Sequence, residues 1–559
     1  MAIFFTNSLR DIKSFPLMRI RMKQSNILRA YLWTKQRPFL ICALILAFGL
    51  SMIGANWGRV ECWNPDQMAL RSIPRNLMMH DYLKPPLDTY VHKVFAIGPL
   101  EAVMKGLLHH QGSKWLQERL LSCRILTTLI FCLALVLAYQ CCLGFCGKEA
   151  AGGIALLMGT SAGLLEFNHY ATADSPLHFW MIASFFCGLM AATTGRLSYA
   201  IAAGLLAGLS TADKYNGLGV GVALPAAFFL SNGIRGLLQR NLWIAVFMVP
   251  VGFVIGCPGV IFENKRFIQD FLYNLYTTPV YSGDVSGPGY FRFLGCFPDL
   301  IGWPCSIFMA LCCMFTILMI ISRRLAEKEQ LMAVTSIAVL FFYFLTIGRF
   351  PRMEPRFVLP AVPFVFFVAA PALQCFARKR LPFVCIITPL IIYNILCSFV
   401  MDMRYLNDPR MESVIWAKQN FKSGDVIESS YSPSWDLIVE GTKVLNMPHA
   451  TGRAERFKNL LGSNREIMNS MDNHDPNVSE NLYTGHSLKD RNPDFVTFSS
   501  QAIEFTEPAS VKEYYNDHLK QALGYQKVFE RKADPVNRFF YPRQLDFVAD
   551  WMVILKRTD

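Results

Sequence analysis

The sequence predicts a polytopic α-helical membrane protein, with about eleven transmembrane helices followed by an extracytoplasmic α/β domain. Of its 559 residues, 53% are hydrophobic and 17% are charged, which is too few charged side chains to cover a soluble globule of this length. The apolar residues are also clustered. Runs such as 39–54, 331–347 and 383–400 are nearly free of charge and approach the length that crosses a bilayer.

We predict the individual spans from these runs and from the polar segments between them. The fifth and sixth spans are short and rich in glycine, so their ends are weakly marked. The eleven predicted spans are 39–57, 122–143, 150–166, 176–194, 198–212, 216–231, 241–257, 303–321, 331–347, 357–375 and 382–400.

The distribution of Lys and Arg predicts the orientation of the chain. Eight of these residues precede the first apolar run, and no small-residue cleavage site closes that run, so we expect a retained first span with a cytoplasmic segment 1–38. The short loops that follow on the same side also carry Lys or Arg. This positive-inside pattern accounts for the net charge of +13, and we expect no nucleic-acid partner.

The opposite face of the membrane then receives two long loops, 58–121 and 258–302, and the tail 401–559. We therefore predict a transmembrane domain over 39–400 with its functional loops outside. The tail has the alternation of short strand and helix patterns that is typical of an α/β domain. We predict strands at 425–429, 494–498 and 547–555, helices at 411–421 and 510–523, and a polar loop over 462–490.

Two clusters of polar residues lie in the first outer loop. The first contains Asp66, just after the first span, and the second contains Lys84-Pro85-Pro86-Leu87, followed by Tyr90. Considered singly, Asp66 fits a helix cap, and Lys84 fits a lysine held by two prolines at the membrane surface.

Two further clusters are predicted on the same face. Asp174 precedes Ser175 and Pro176, where either Asp174 or Ser175 fits a plain helix cap. Arg349, Arg352 and Arg356 precede the tenth span and oppose the positive-inside trend. That departure indicates a bound anion, with interfacial anchoring as the alternative.

The four clusters together point to chemistry at the outer face. Carboxylates suit general-base work on a hydroxyl, and Lys and Arg suit a phosphate or pyrophosphate leaving group. The sequence lacks the phosphate-binding glycine loop of nucleotide hydrolases and the H-E-x-x-H zinc motif. One G-x-S-x-G match, at 159–163, lies within an apolar span, so we interpret it as small-residue helix packing.

The order of these motifs resembles that of the C-type membrane glycosyltransferases, specifically the superfamily of protein O-mannosyltransferases and the lipid A aminoarabinose transferase. The similarity extends over roughly residues 38–400, and the motifs keep the family's order. The matching residues are Asp66, Lys84 to Leu87, Arg124 with Tyr139, Tyr170 and Ala171 with Asp174 and Leu177, Gly208 and Leu209 with Lys214, and Arg356 to Pro360 with Pro363.

The resemblance implies an inverting transferase that takes a hexosyl or pentosyl group from a polyprenyl-phosphate donor. Asp66 would be the catalytic base, and Lys84 and Arg356 would bind the donor phosphate. The supporting residues would be Arg124, Asp174, Lys214, Tyr90 and Arg352. No metal ligands are assigned and no cofactor is committed, with a divalent cation left open. Gln67 follows Asp66 where the family often has glutamate, which counts against a metal or second-carboxylate role at that position.

The implied acceptor is a hydroxyl of a glycolipid, polysaccharide or protein, and membrane lipid surrounds the site. The expected location is the inner membrane of a bacterium, in preference to the endoplasmic reticulum. Two alternatives belong to other classes. A secondary transporter of a polar or anionic solute would carry mid-span charges in two related halves, and a non-catalytic scaffold would not need Asp66, Lys84 and Arg356 to converge.

Overall fold

The apolar runs form a bundle of helices, and the C-terminal tail forms a mixed sheet that packs against the end of the last long helix. We describe the fold from a computed structural model. The described residues are 37–58, 87–97, 113–277, 288–350, 353–378, 380–430, 441–447, 485–500, 509–521, 523–533, 540 and 550–558.

The helices of the bundle follow the predicted spans. In chain order they are α1 (Pro38–Met52), α2 (Leu87–His92), α3 (Ser113–Phe145), α4 (Lys148–Thr160), α5 (Ala162–Glu166), α6 (Pro176–Thr194), α7 (Leu197–Asp213), α8 (Ala223–Asn232), α9 (Arg240–Gly256), α10 (Gly259–Phe262), α11 (Asn264–Thr277), α12 (Tyr290–Ile301), α13 (Trp303–Ile321), α14 (Glu327–Thr346), α15 (Pro355–Val358), α16 (Val362–Ala377) and α17 (Arg380–Leu406). A 3-10 segment, Tyr215–Val222, precedes α8, and a π-helical turn, Lys93–Ile97, follows α2.

Each of the eleven predicted spans is helical over most of its length, with three corrections. Helix α1 ends at Met52, short of the predicted end at 57. The predicted span 150–166 is divided into α4 and α5, and the predicted span 216–231 begins with the 3-10 segment.

Within the described ranges, seven helical segments are long and apolar enough to cross a membrane. The other four predicted spans correspond to α1, α4, α7 and α9, which are shorter. Helix α4 is buried from Ala150 to Thr160, so the rest of the protein surrounds it on all sides.

The lateral surface of the helix bundle is apolar, whereas the surface of a soluble protein would be polar. On α13, Ile307, Leu311, Met314, Leu318 and Ile321 are all exposed. A continuous stripe of large exposed apolar side chains is costly in water and favourable in lipid. The protein is therefore an integral, multi-pass membrane protein.

Small residues let several helices approach closely. A Cβ on Gly208 of α7 would lie 2.1 Å from the backbone oxygen of Val249 on α9. Similarly, a Cβ on Gly159 would lie 3.0 Å from the Ala43 oxygen on α1, and one on Gly163 would lie 2.5 Å from Leu300 Cα on α12. The interpretation of the G-x-S-x-G match as helix packing is confirmed.

The tail adds α18 (Pro409–Asn420), α19 (Gly485–Arg491), α20 (Ala509–Leu519) and a sheet in the order β2-β1-β3-β5-β4. Strand β1 is parallel to β2 and β3, whereas β5 is antiparallel to β3 and β4. The strands are β1 (Val426–Ser430), β2 (Lys443–Met447), β3 (Phe495–Ser499), β4 (Tyr525–Lys532) and β5 (Trp551–Arg557).

The predicted α/β tail is confirmed, with three corrections. Strands β2 and β4 were not predicted. The segment 462–490 was predicted as a polar loop; residues 462–484 lie outside the described residues, and α19 occupies the described end because Leu488 is buried against the sheet. The last strand was predicted over 547–555; residues 547–549 lie outside the described residues, and the strand extends past 555 to Arg557.

One face of the sheet joins the core of the bundle. Ile427, Phe495, Met552 and Ile554 belong to the same continuous apolar core as the spanning helices. The side chain of Arg404, near the end of α17, forms an ion pair with Asp550. The tail therefore packs directly on one end of the bundle, the end near Arg404 of α17.

Candidate active site

The predicted site residues divide into those the structure describes and those it does not. Asp66, Lys84 and Arg352 lie outside the described residues. Tyr90, Arg124, Asp174, Lys214 and Arg356 are described, and four of these five lie on connected elements at one end of the bundle. Arg124 lies apart from them, buried in α3.

Asp174 lies in the buried turn between α5 and α6. Its carboxylate forms an ion pair with Lys214, the residue that ends α7, and accepts a hydrogen bond from the Thr172 hydroxyl at 3.1 Å. The two charged side chains are 9% and 24% exposed, so the lysine reaches the protein surface and the carboxylate does not. A cation at the C-terminal end of a helix is also favoured by the helix dipole.

The helix-cap interpretation of this turn is wrong in one respect. Pro176 begins α6, as predicted, and Ser175 occupies the cap position. However, no side chain caps the helix, because the Ser175 hydroxyl donates to Asn168 and the Asp174 carboxylate is engaged by Lys214. Asp174 is held by a charge partner and not by a helix end.

Arg356 lies on α15, just before the tenth predicted span. Its Nε is 2.6 Å from a carboxylate oxygen of Glu354, and its guanidinium carbon lies 5.4 Å from the centre of the Phe357 ring. The side chain is 23% exposed. Its planar cation is therefore oriented by two neighbours and still accessible at the outer end of the bundle.

A buried histidine connects Arg356 with the turn that carries Asp174. The Nε2 of His178, in the first turn of α6, donates to the carbonyl oxygen of Leu359 at 3.0 Å. Leu359 is three residues after Arg356, and His178 is four residues after Asp174. The two charged sites are thus fixed to one another, and sequence reasoning did not single out the histidine that joins them.

The end of the first outer loop approaches the same place. Leu87 packs in a small apolar cluster with Ala212 and Cys257, and Ala212 is two residues before Lys214. Lys84 is three residues before Leu87 in the sequence and lies outside the described residues.

Tyr90 follows on α2 and is half-buried beside the outer end of α9. Burial raises the pKa of its phenol to about 12, and the nearby Cys257 and Glu263 act in the same direction. Tyr90 is therefore a neutral hydrogen-bonding group at neutral pH and is unsuited to act as a base.

Arg124 is placed differently from the other four residues. It is fully buried in α3, and its Nη1 donates at 2.6 Å to the carbonyl oxygens of Ala55 and Trp57. The guanidinium therefore holds backbone and does not face the outer surface. The sequence analysis did not identify Ala55 and Trp57 as partners of Arg124. No local sequence pattern marks them, because they are distant from Arg124 in the chain.

The described residues offer no metal site of the usual kind. Within the described ranges, no three His, Cys, Asp or Glu side chains come together as a candidate cluster. Asp66 and Gln67 lie outside those ranges.

Comparisons with known proteins agree with this architecture. A sequence model of the dolichyl-phosphate-mannose-protein mannosyltransferase family matches residues 59–274. A search of curated protein sequences finds no match.

Two solved structures share the fold. The apo state of ArnT from Cupriavidus metallidurans is 12% identical, with 94% of this chain and 98% of that chain covered and a TM-score of 0.52. The oligosaccharyltransferase AglB from Archaeoglobus fulgidus, in complex with an inhibitory peptide and a dolichol-phosphate, is 13% identical, with 89% and 73% covered and a TM-score of 0.50.

The fold is therefore that of the C-type membrane glycosyltransferases, which confirms the resemblance seen in the motif order. Within that class, the stretch 59–274 carries the sequence pattern of the protein mannosyltransferase family. Neither comparison supports the transporter alternative.

Proposed function

We propose that the protein transfers a sugar from a polyprenyl-phosphate donor to a hydroxyl acceptor at the outer face of the membrane, with inversion at the anomeric carbon. The observation that carries this proposal is the match to the mannosyltransferase family. It spans Asp66, Lys84, Asp174 and Lys214 in a chain whose fold is that of the C-type transferases. AglB, which shares the fold, was solved with a dolichol-phosphate, a ligand of the same chemical class.

In the proposed reaction, Asp66 takes the proton of the acceptor hydroxyl as its oxygen attacks the anomeric carbon of the sugar. The bond between that carbon and the phosphate oxygen breaks, and the polyprenyl phosphate leaves with the bonding electron pair. Lys84 and Arg356 neutralise the charge that grows on the leaving phosphate. Single displacement at the anomeric carbon inverts its configuration.

The contacts described above support this assignment of the cations. Arg356 is tied to the Asp174 turn through His178, and the segment after Lys84 packs beside the end of α7. A lipid phosphate lies at the membrane surface because its isoprenoid tail is in the bilayer. We propose that the Asp174–Lys214 pair orients the acceptor or the sugar beside this phosphate, with Tyr90 and Arg352 as further polar contacts.

The remaining parts of the chain receive proposed roles on the same basis. Residues 1–38 form a cytoplasmic basic segment, 39–400 the transferase domain, and 401–559 an outer domain that covers the site or holds the acceptor. The transferred group is a hexose or a pentose, and the membrane is the inner membrane of a bacterium.

Mass spectrometry of cell-surface glycans, glycolipids and glycoproteins tests the proposal and identifies the acceptor. Cells that lack the protein should lose one sugar residue from one class of molecule. The wild-type chain should restore it, and Asp66→Asn, which keeps the shape of the side chain and removes the base, should not. Identical glycans in all strains would contradict the proposed function.

A further inference from the structure

The chain leaves the first helix through a turn, residues 53–58, that is unusually well held. Helix α1 ends at Met52, and the turn contains Gly54 and Gly58 with φ values of +73° and +54°, which glycine adopts without strain. We call residues 53–58 the exit turn. Asp66 lies eight residues beyond its end, so the exit turn sets where the loop that carries Asp66 begins.

Two buried side chains from other helices hold the backbone of the exit turn. Arg124 donates to the carbonyl oxygens of Ala55 and Trp57, both at 2.6 Å. The Nε2 of His169, in the turn after α5, donates to the Ile53 oxygen at 2.7 Å. Alternate carbonyl groups of the turn are therefore fixed by long-range hydrogen bonds, and both donors are fully buried.

The side chain of Trp57 connects the exit turn to the start of the tail. Its indole Nε1 donates to Asp408 Oδ2 at 2.9 Å, across 351 positions of sequence. Asp408 is held in turn by Arg410, whose Nε and Nη2 donate to its two carboxylate oxygens at 3.0 and 2.7 Å. The guanidinium carbons of Arg124 and Arg410 each lie 5.7 Å from the centre of the Trp57 ring.

The last residues of α17 complete this enclosure. Tyr405 stacks on His169 with ring centres 4.5 Å apart and meets Trp57 edge-on at 5.1 Å. A Cβ on Gly54 would lie 2.9 Å from Tyr405 Cβ, so the turn and the helix fit only with glycine at this position. The enclosing residues thus come from α3, the α5–α6 turn, α17 and the N-terminus of α18.

The charges in this cluster are costly for stability alone. Asp408 and Arg410 are at most 1% exposed, and an apolar core of equal volume would often be as stable as a buried ion pair. The polar cluster instead fixes the orientation of the Trp57 side chain relative to the start of the tail. It does so because the bidentate Arg–Asp pair and the indole hydrogen bond are both directional. An oriented link is useful where a neighbouring segment must be placed to within an ångström.

We infer that Trp57, Asp408 and Arg410 are positioning residues that couple the start of the tail to the loop that carries Asp66. This inference rests on the proposed function. The tail then acts on catalysis through the exit turn as well as through any contact with the acceptor. Arg124 belongs to the same cluster of positioning residues, which explains why it is buried away from Lys214 and Arg356.

The test compares Trp57→Phe with Trp303→Phe in the full-length protein reconstituted in lipid. Trp57→Phe keeps an aromatic ring and removes the N–H group, whereas Trp303 is a tryptophan that is 54% exposed and far from the cluster in sequence. Turnover is measured with a polyprenyl-phosphate sugar and expressed per donor-binding site, so that loss of folded protein cancels.

We expect Trp57→Phe to lower kcat by about 10-fold or more with little change in donor KM, since a small misplacement of a catalytic group lowers rate more than binding. Asp408→Asn should act in the same way. The double variant should lose less than the product of the two single effects, because both act through one hydrogen bond. Trp303→Phe should keep normal turnover.

Normal kcat in both Trp57→Phe and Asp408→Asn would overturn the inference. A double variant whose loss of kcat equals the product of the two single losses would also overturn it. If Trp57→Phe does not fold, Asp408→Asn and Arg410→Lys decide the matter. Arg410→Lys keeps the charge and loses the planar fork, so it should give an intermediate kcat. An active Asp66→Asn variant would count against the proposed function, whereas an inactive Asp66→Asn beside a fully active Trp57→Phe would count against the coupling alone.

Discussion

Asp174 and Lys214 are 40 positions apart in the chain, with Asp174 in the turn before α6 and Lys214 directly after α7. Because the carboxylate is almost fully buried, removing the lysine would leave a charge with poor solvation, and removing the carboxylate would leave the partly buried lysine without this ion-pair partner. A change at either residue therefore disturbs the pair. Arg356 differs, because its partner Glu354 is close in sequence and similarly accessible, so the arginine can turn toward a ligand.

The cation pair Lys84 and Arg356 gives the first prediction. Both would contact one phosphate, so Lys84→Ala and Arg356→Ala should each weaken donor binding and lower turnover by about 10-fold or more. The double variant should lose less than the sum of the two free-energy changes, because the two cations act on the same group. Donor binding and transfer rates of the three variants provide the measurement.

Arg349→Ala is the matched control for this experiment. Arg349 is an exposed arginine seven residues before Arg356 and lies over the Phe350 ring at 5.1 Å. Its removal changes the net charge of the outer face equally and should leave transfer nearly normal. Equal losses for Arg349→Ala and Arg356→Ala would mean that only general surface charge matters, and the phosphate role of Arg356 would be withdrawn.

The sequence could predict which residues of this region are unusual, but only partly how they are used. Asp174 and Arg356 are conspicuous as charges flanked by proline beside apolar runs. Arg124 is equally conspicuous, yet it is bound to the backbone of the exit turn. That role depends on which helix end packs against the middle of the bundle, and spacing along the chain carries no such information.

At the scale of elements, long apolar runs were sufficient to predict each of the seven described helices that are long enough to cross a membrane. The missed elements, β2 and β4, have a common physical cause. They are the two edge strands of the sheet. In β4 only Tyr525 is buried, and the other residues of the strand are exposed or half-buried. Edge strands need few apolar side chains, so their pairing is fixed by neighbouring strands and not by their own pattern.

Helix α20 of the tail gives the second prediction. His518 is fully buried between Tyr514 and Tyr525, and its two ring nitrogens have no hydrogen-bond partner in the described part of the chain. Burial, assisted by Arg491, lowers the pKa of His518 to about 4. In the unfolded chain the pKa is about 6.5, so the unfolded tail binds a proton that the folded tail does not as pH falls from about 6.5 to about 4.

The tail should therefore lose up to about 3 kcal/mol of stability over that pH window. His518→Phe removes the titrating group and keeps the ring, so it should abolish this part of the loss. Hydrogen exchange of the α20 amides, compared between wild type and variant at each pH, provides the measurement. The same acid sensitivity in both proteins would show that another group, such as the Glu428–Arg491 pair, determines how the stability of the tail depends on pH.

At the scale of the whole molecule, the tail and the bundle share one apolar core and several polar links. Arg404 pairs with Asp550, Trp57 binds Asp408, and the inner face of the sheet packs toward α17 and α18. The membrane domain alone would therefore expose apolar surface at its outer end. The sequence indicated a separate tail domain, but nothing in its pattern indicated how closely the tail joins the bundle.

The orientation of the chain gives the third prediction. The basic segment before α1 should be cytoplasmic and the tail extracytoplasmic. A reporter enzyme that is active only outside the cytoplasm should be active when fused after Asp559 and inactive when fused after Arg324, in a basic loop on the opposite side. The reverse pattern would place the proposed site on the cytoplasmic face and contradict the account.

Turnover of the lipid donor tests the central claim most directly. Purified protein in proteoliposomes should convert a polyprenyl-phosphate sugar to free polyprenyl phosphate only when the acceptor is present, and one glycosylated acceptor should form for each lipid released. The new glycosidic bond should have the inverted configuration. Asp66→Asn should reduce this turnover by about two orders of magnitude or more while still binding the donor. If the wild-type protein consumes none of a panel of hexosyl and pentosyl polyprenyl phosphates, or if Asp66→Asn turns over normally, the account is contradicted.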